Sequence, residues 1–239
     1  MKKQLLTLAI SVCFTYVAQA NEWGYEGERG PEHWGHVSKI CEMGKNQSPI
    51  DINGLVEADL KSLDIHYSGV VGALTNNGHT LQASVSGKNT LVVDGKEFEL
   101  KQFHFHTPSE NLIKGHQYPL EAHFVHADAA GNLAVLAVMF ETGAQNEPLA
   151  QLTAELPKVG ASVPLAKELA VQSLLPKLDE YYRFNGSLTT PPCSEGVRWF
   201  VVKQPNSLSQ QQSAALHSVM GNNNRPIQAH NARLVLEKE

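Results

Sequence analysis

Gln102-Phe103-His104-Phe105-His106 is the stretch on which the fold turns. Side chains at i and i+2 of a strand leave on one face and those between them on the other. Two imidazoles therefore point into a cleft while Phe103 and Phe105 pack behind them. The run reaches back to Glu97, and similar β-branched and aromatic runs lie around Ile65-His66-Tyr67, at Thr80 to Val85, Thr90 to Val93, Leu120 to His126 and Leu133 to Phe140. Asn77-Gly78, Asp94-Gly95 and Gly131-Asn132 sit between these runs and supply residues that accept positive φ, so adjacent strands are expected to be antiparallel. Helical pattern is scarcer: Glu147 to Leu156, a piece near Leu165 to Leu175, and Ser209 to Met220, where Ser209 with Gln212 reads as a capping box and Gly221 as a stop. These pieces do not alternate with the strands. The pattern predicts an α+β domain on a central, mainly antiparallel twisted sheet with short peripheral helices.

A His-x-His on a strand is modest evidence for a metal by itself, but Leu120-Glu121-Ala122-His123-Phe124-Val125-His126 alternates in the same way and puts Glu121, His123 and Val125 on one face. A third imidazole then becomes available, while His126 has the opposite parity and reads as structural. Zinc in catalytic sites takes three protein ligands and leaves one position for water, whose pKa it can lower to about 7. His104, His106 and His123 are thus candidate Zn2+ ligands. Ligating histidines need their other ring nitrogen held. Gln102 and Glu121 each stand two residues before a histidine on the same face and are candidates for that task; spacing alone favours an ordinary solvated carboxylate at Glu121, and its pairing with His123 is what raises it.

The first twenty residues read as a secretory leader: Lys2 and Lys3, an apolar stretch from Leu5 to Val17, then Ala18-Gln19-Ala20. Cleavage after Ala20 leaves residues 21–239 as one catalytic domain starting at Asn21, with no membrane association once the leader is gone. Lipidation at Cys13 is disfavoured because Val12 before it is bulkier than lipoprotein processing tolerates. Losing Lys2 and Lys3 leaves 17 of the 19 basic residues against 24 acidic ones, moving the formal charge from −5 to −7. With no cluster of Lys and Arg, this argues against nucleic acid as a partner. Cys41 and Cys193 remain, and an even pair in an oxidising compartment points to one disulfide, two buried free thiols being the other reading. A Sec-type leader and one disulfide fit the periplasm.

Taken in order, the segments Gly30-Pro31-Glu32-His33-Trp34-Gly35, Asn46-Gln47-Ser48-Pro49-Ile50-Asp51-Ile52, Asn76-Asn77-Gly78-His79, the His104 strand, Pro108-Ser109-Glu110, the Glu121/His123 strand, Tyr182-Arg183-Phe184, Gly186-Ser187-Leu188-Thr189-Thr190-Pro191-Pro192-Cys193 and Asn224-Arg225-Pro226 resemble the α-carbonic anhydrase family across nearly the whole mature chain. The resemblance implies reversible hydration of carbon dioxide to bicarbonate through a zinc-bound hydroxide, with zinc on His104, His106 and His123 and with Gln102 and Glu121 behind them. It makes Thr189 the gate, accepting from the hydroxide and donating to Glu110, with its backbone N–H and Thr190 beside product bicarbonate. It places carbon dioxide against Val125, Val135, Leu188 and Trp199, positions that would otherwise read as plain core. It gives the proton exit to His79 and the ordering of its water chain to Tyr25, and it adds support for a Cys41–Cys193 bridge. Secreted bacterial members are often homodimers, so a dimer is a further expectation. Two departures stand out: many relatives carry Trp and His where this chain has Thr107 and Asn111, which puts the rigidity behind the ligands in question. The alternative function is a catalytically weak binding or structural module of the same family. Members that lost catalysis lack zinc histidines, and here none is missing.

Overall fold

The computed structural model describes residues 23–238, so the leader at 1–20 and the start at Asn21 lie outside the described residues. Fifteen strands run in chain order: β1 Asp51–Ile52, β2 Leu55–Glu57, β3 Asp64–Tyr67, β4 Val70–Asn76, β5 Leu81–Ser86, β6 Asn89–Val93, β7 Lys96–His106, β8 Leu112–Ile113, β9 Leu120–Ala127, β10 Leu133–Thr142, β11 Ser162–Pro164, β12 Tyr181–Ser187, β13 Glu195–Val202, β14 Asn206–Leu208 and β15 Val235–Lys238. The α-helices are short: α1 Ile40–Met43, α2 Glu147–Leu152 and α3 Gln210–Met220. Thirteen strands form one sheet in the order β11-β4-β5-β7-β9-β10-β13-β12-β15-β2, with β14 beside β10 and the β3–β6 pair joined through β6 to β7.

The three turn signals fall where hairpins are made. Asp94 and Gly95 take φ of 51° and 75° between β6 and β7, and Gly131 takes 82° between β9 and β10, backbone that suits Asn, Asp and Gly. The β4–β5, β6–β7, β7–β9 and β9–β10 pairings are antiparallel. The centre of the sheet departs from that rule, because β10 pairs with β13 in parallel. Parallel neighbours need a long crossover, and here the connection carries α2, β11, the 3-10 turn at Val171–Leu174 and β12.

The pleat sends alternate residues into two cores. One face packs Phe98, Phe103, Phe105, Phe124, Leu136, Phe140 and Phe200, with Phe103 stacked on Phe124 at 4.9 Å. Burying each such ring contributes roughly 1.5–3 kcal/mol. The other face carries Val135, Ala137, Met139, Tyr182, Phe184, Trp199 and Val201, which cluster with Ile50 and Ile52.

Two helical expectations change. The segment 165–175 is not an α-helix: Leu165, Val171 and the Leu169 carbonyl pair their backbones with Gly72, Gly69 and Val71, so groups a helix would need are spent on β4. Only Val171–Leu174 winds, as a 3-10 turn. Helix α2 stops at Leu152 rather than Leu156, where the Thr153 hydroxyl donates to the Leu149 carbonyl at 2.8 Å. Helix α3 begins as expected, with reciprocal Ser209 and Gln212 capping bonds.

Candidate metal centre and its cavity

Register decides which side chains meet. On β7 and β9, His104 pairs with His123, His106 with Glu121 and Gln102 with Val125, after a shift between Leu100 and Gln102. That shift coincides with Lys101-Gln102, where two polar residues interrupt the alternation of the strand. The ladder continues across the sheet, so that Val125 pairs with Val135 and Val135 with Trp199. One row thus reads Gln102, Val125, Val135, Trp199, and the next reads His104, His123, Ala137, Val201.

The three imidazoles each offer one nitrogen, and these atoms lie within 4.8 Å of one another. Two of the opposite nitrogens are hydrogen-bonded and the third faces a carboxylate: His104 Nδ1 lies 2.9 Å from Gln102 Oε1, His106 Nδ1 lies 2.7 Å from the Asn223 carbonyl, and His123 Nε2 lies 2.9 Å from Glu121 Oε1 without hydrogen-bond geometry. The nitrogens left to converge are Nε2 of His104 and His106 and Nδ1 of His123. His106 Nε2 is fully buried without a hydrogen-bond partner, a costly arrangement unless an electrophile takes its lone pair. Burial is the main cause lowering all three histidines, His104 and His123 well below the ordinary range, with neighbouring imidazoles adding to it at both. Neutral rings present lone pairs. A buried three-nitrogen donor set of this kind fits zinc.

Glu121 is clamped from behind. Its Oε2 accepts the Glu110 and Asn111 backbone N–H groups at 2.7 and 2.9 Å, and its Oε1 accepts the Asn111 side-chain amide at 2.7 Å. Burial pushes its pKa up, and the Asn111 donors hold it back. The rigidity questioned at Asn111 and Thr107 is therefore supplied: both are buried, and Thr107 N–H donates to Asn223 Oδ1 at 2.7 Å. Glu110 lies with Oε2 3.4 Å from His106 Nε2. Burial raises it well above the usual carboxylate range, held back by the Arg225 backbone N–H, which donates to Oε1 at 2.9 Å, and by the Thr189 hydroxyl beside it. His126 sits on the opposite face, fully buried, bonded to the Tyr67 hydroxyl.

One cavity gathers most of the remaining candidates. Val125, Val135, Leu188 and Trp199 line one wall, and Thr189, Thr190, Gln102 and the three histidines stand beside them. Trp199 is steadied by its indole N–H, which donates to the Ser187 carbonyl at 3.1 Å. Tyr25 and His79 also line the cavity, the latter stacked on Trp23 at 3.8 Å. Tyr25 is raised by burial and by the Glu110 carboxylate. Cys41 and Cys193 are bridged. Trp23, Asn77, Gln82 and Asn223 were not singled out from the sequence. Gln82 was findable only through register, since it pairs with His104, and Asn223 acts on His106 through a main-chain carbonyl that any residue type carries.

Relatives agree with this geometry. A profile of the eukaryotic-type carbonic anhydrase family matches residues 29–239. A carbonic anhydrase of Pectobacterium carotovorum is 47% identical over 99% of this chain and 100% of its own length. The solved α-carbonic anhydrase of Photobacterium profundum is 59% identical with a TM-score of 0.88, covering 90% of this chain and 100% of that one. The Thermovibrio ammonificans α-carbonic anhydrase, solved with the inhibitor sulfanilamide, is 48% identical at a TM-score of 0.87, covering 90% and 98%. On a match that spans both histidine strands, the 187–193 loop and the segment that holds Glu110, the chain belongs to the carbonic anhydrase family.

Proposed function

We propose that this chain catalyses the reversible hydration of carbon dioxide to bicarbonate and a proton, with zinc on His104, His106 and His123. The observation that carries the reading is the convergence of three imidazole nitrogens beside an apolar wall. When bound there, zinc supplies a Lewis-acidic charge that makes hydroxide available near neutral pH.

The chain's own residues do the rest. With its proton given to the neighbouring Glu110 carboxylate, the Thr189 hydroxyl keeps its oxygen to accept from the nucleophile, a role supported by its place beside that carboxylate. That fixes the nucleophile's remaining lone pair towards the wall, a contribution of orientation. Val125, Val135, Leu188 and Trp199 hold carbon dioxide, which is small and apolar, without ordering water in its place. Thr190 and the Thr189 backbone N–H steady the bicarbonate that forms. The released proton leaves through ordered water near Tyr25 to the ring of His79, imidazole being the side chain suited to passing protons near neutral pH. The supporting observation for that exit is that both residues are half-buried and line the same cavity as the three histidines. We further assign residues 1–20 as a cleaved leader and the periplasm as the destination. The Cys41–Cys193 bridge supports an oxidising compartment.

Stopped-flow carbon dioxide hydration before and after metal removal tests the reading. Activity should vanish with the metal, return on zinc addition, and be absent in His106→Ala at any zinc concentration. Hydration indifferent to metal would leave only the binding or structural alternative.

A further inference from the structure

Arg225 lines no part of the cavity and offers no ligand, yet it is 2% exposed. Its guanidinium donates only to neutral oxygens: Nη1 to Gln47 Oε1 at 2.9 Å and to the Ser48 carbonyl at 2.8 Å, and Nη2 to the Cys41 carbonyl at 2.8 Å. Its plane faces Trp34 at 5.7 Å. A buried cation held this way fixes three chain segments relative to one another, because its donors form a rigid fork.

Two contacts carry that rigidity to the gate. The Arg225 backbone N–H donates to Glu110 Oε1 at 2.9 Å. Gln47, held by the guanidinium through its oxygen, gives its own N–H to the Cys193 carbonyl at 3.0 Å, and Cys193 N–H closes on the Thr190 carbonyl at 2.8 Å. Thr189, next to Thr190 in that loop, stands beside the Glu110 carboxylate, whose Oε2 has no hydrogen-bond partner among the described residues. Glu110 and Thr189 belong to segments far apart in the chain, and Arg225 touches the support of both.

We propose that Arg225 is a positioning residue for the hydration reaction: through Gln47 its guanidinium holds the 189–193 loop in register with Glu110, so that the Thr189 hydroxyl meets the carboxylate. This rests on the reading of the site as a carbon dioxide hydratase. Lysine cannot substitute, since a single ammonium on a flexible stem cannot span Gln47, Ser48 and Cys41 together.

A double-mutant cycle on the zinc-loaded enzyme tests it. Arg225→Lys should lower kcat/KM about tenfold with metal content unchanged, and imidazole buffer should not restore it. Thr189→Ala should lower kcat/KM about a hundredfold, and adding Arg225→Lys to it should cost less than about twofold more. Gln47→Leu, which breaks the relay while leaving the Arg225 backbone bond, should show the same non-additivity at a smaller size and stands in if Arg225→Lys fails to fold. Equal losses in both backgrounds, loss of metal, or rescue by imidazole buffer overturns the positioning role while leaving the hydratase reading intact. A wild-type enzyme without hydration activity overturns the hydratase reading and this role with it.

Discussion

At His123 one carboxylate bears on which ring nitrogen faces the other two imidazoles. Nε2 faces Glu121 Oε1, so Nδ1 turns towards His104 and His106, which use the opposite nitrogen. Glu121→Gln replaces an acceptor by an amide that must choose which end to present, and the Asn111 N–H groups already demand an oxygen. Metal affinity should fall about 10–100-fold in that variant, measured by competition with a chelator, and unchanged affinity would show that Glu121 does not orient the ring. These partners were legible because Gln102 and Glu121 share strand parity with the histidines they face. Asn223 was not legible: it reaches His106 with a carbonyl oxygen, and nothing in its side chain announces that. Asn111 read as a departure, and only the fold shows its amide bridging to Glu121.

Among the elements, α3 offers the cleanest test of local chemistry. Ser209 Oγ accepts the Gln212 N–H at 3.2 Å, and Gln212 Oε1 accepts the Ser209 N–H at 3.0 Å. Ser209→Ala should cost about 1 kcal/mol, seen as a lower denaturation midpoint with kcat/KM unchanged well below melting. Strands that alternate, such as β5, β7 and β9, were legible within a residue or two because one face is polar and the other is core. Strand β13 was not read: Val197-Arg198-Trp199-Phe200-Val201-Val202 lacks strict alternation, its one charged residue, Arg198, lying among apolar ones. The Leu165 to Leu175 stretch misled for the converse reason. Its leucines repeat at near-helical spacing, but its backbone is committed to β4, and side-chain pattern does not report where main-chain groups go.

For the whole molecule, the Cys41–Cys193 bridge spans a sequence separation of 152, for which the chain-entropy treatment gives up to about 5 kcal/mol. A Cys41→Ser, Cys193→Ser double variant should unfold at markedly lower denaturant, and an unchanged midpoint would show that the bridge contributes nothing. Acid should also destabilise the fold through His126. Burial pulls its pKa from 6.5 down to about 4, so between those values the unfolded chain binds a proton that the native one refuses. Stability from this group is complete above pH 6.5 and is lost as pH falls towards 4, on the order of 3 kcal/mol in all. Urea unfolding of metal-free protein at pH 7 and 4.5 should therefore show a smaller pH difference in His126→Gln, and an equal difference would refute the assignment. The parallel joining of β10 to β13 has an outcome of its own. All three imidazoles come from one local meander of neighbouring strands, whereas Thr189 and Trp199 arrive only after a long excursion of the polypeptide. A partly assembled chain can thus capture its cation before it has anywhere to receive a gas molecule, so metal uptake should precede turnover during maturation.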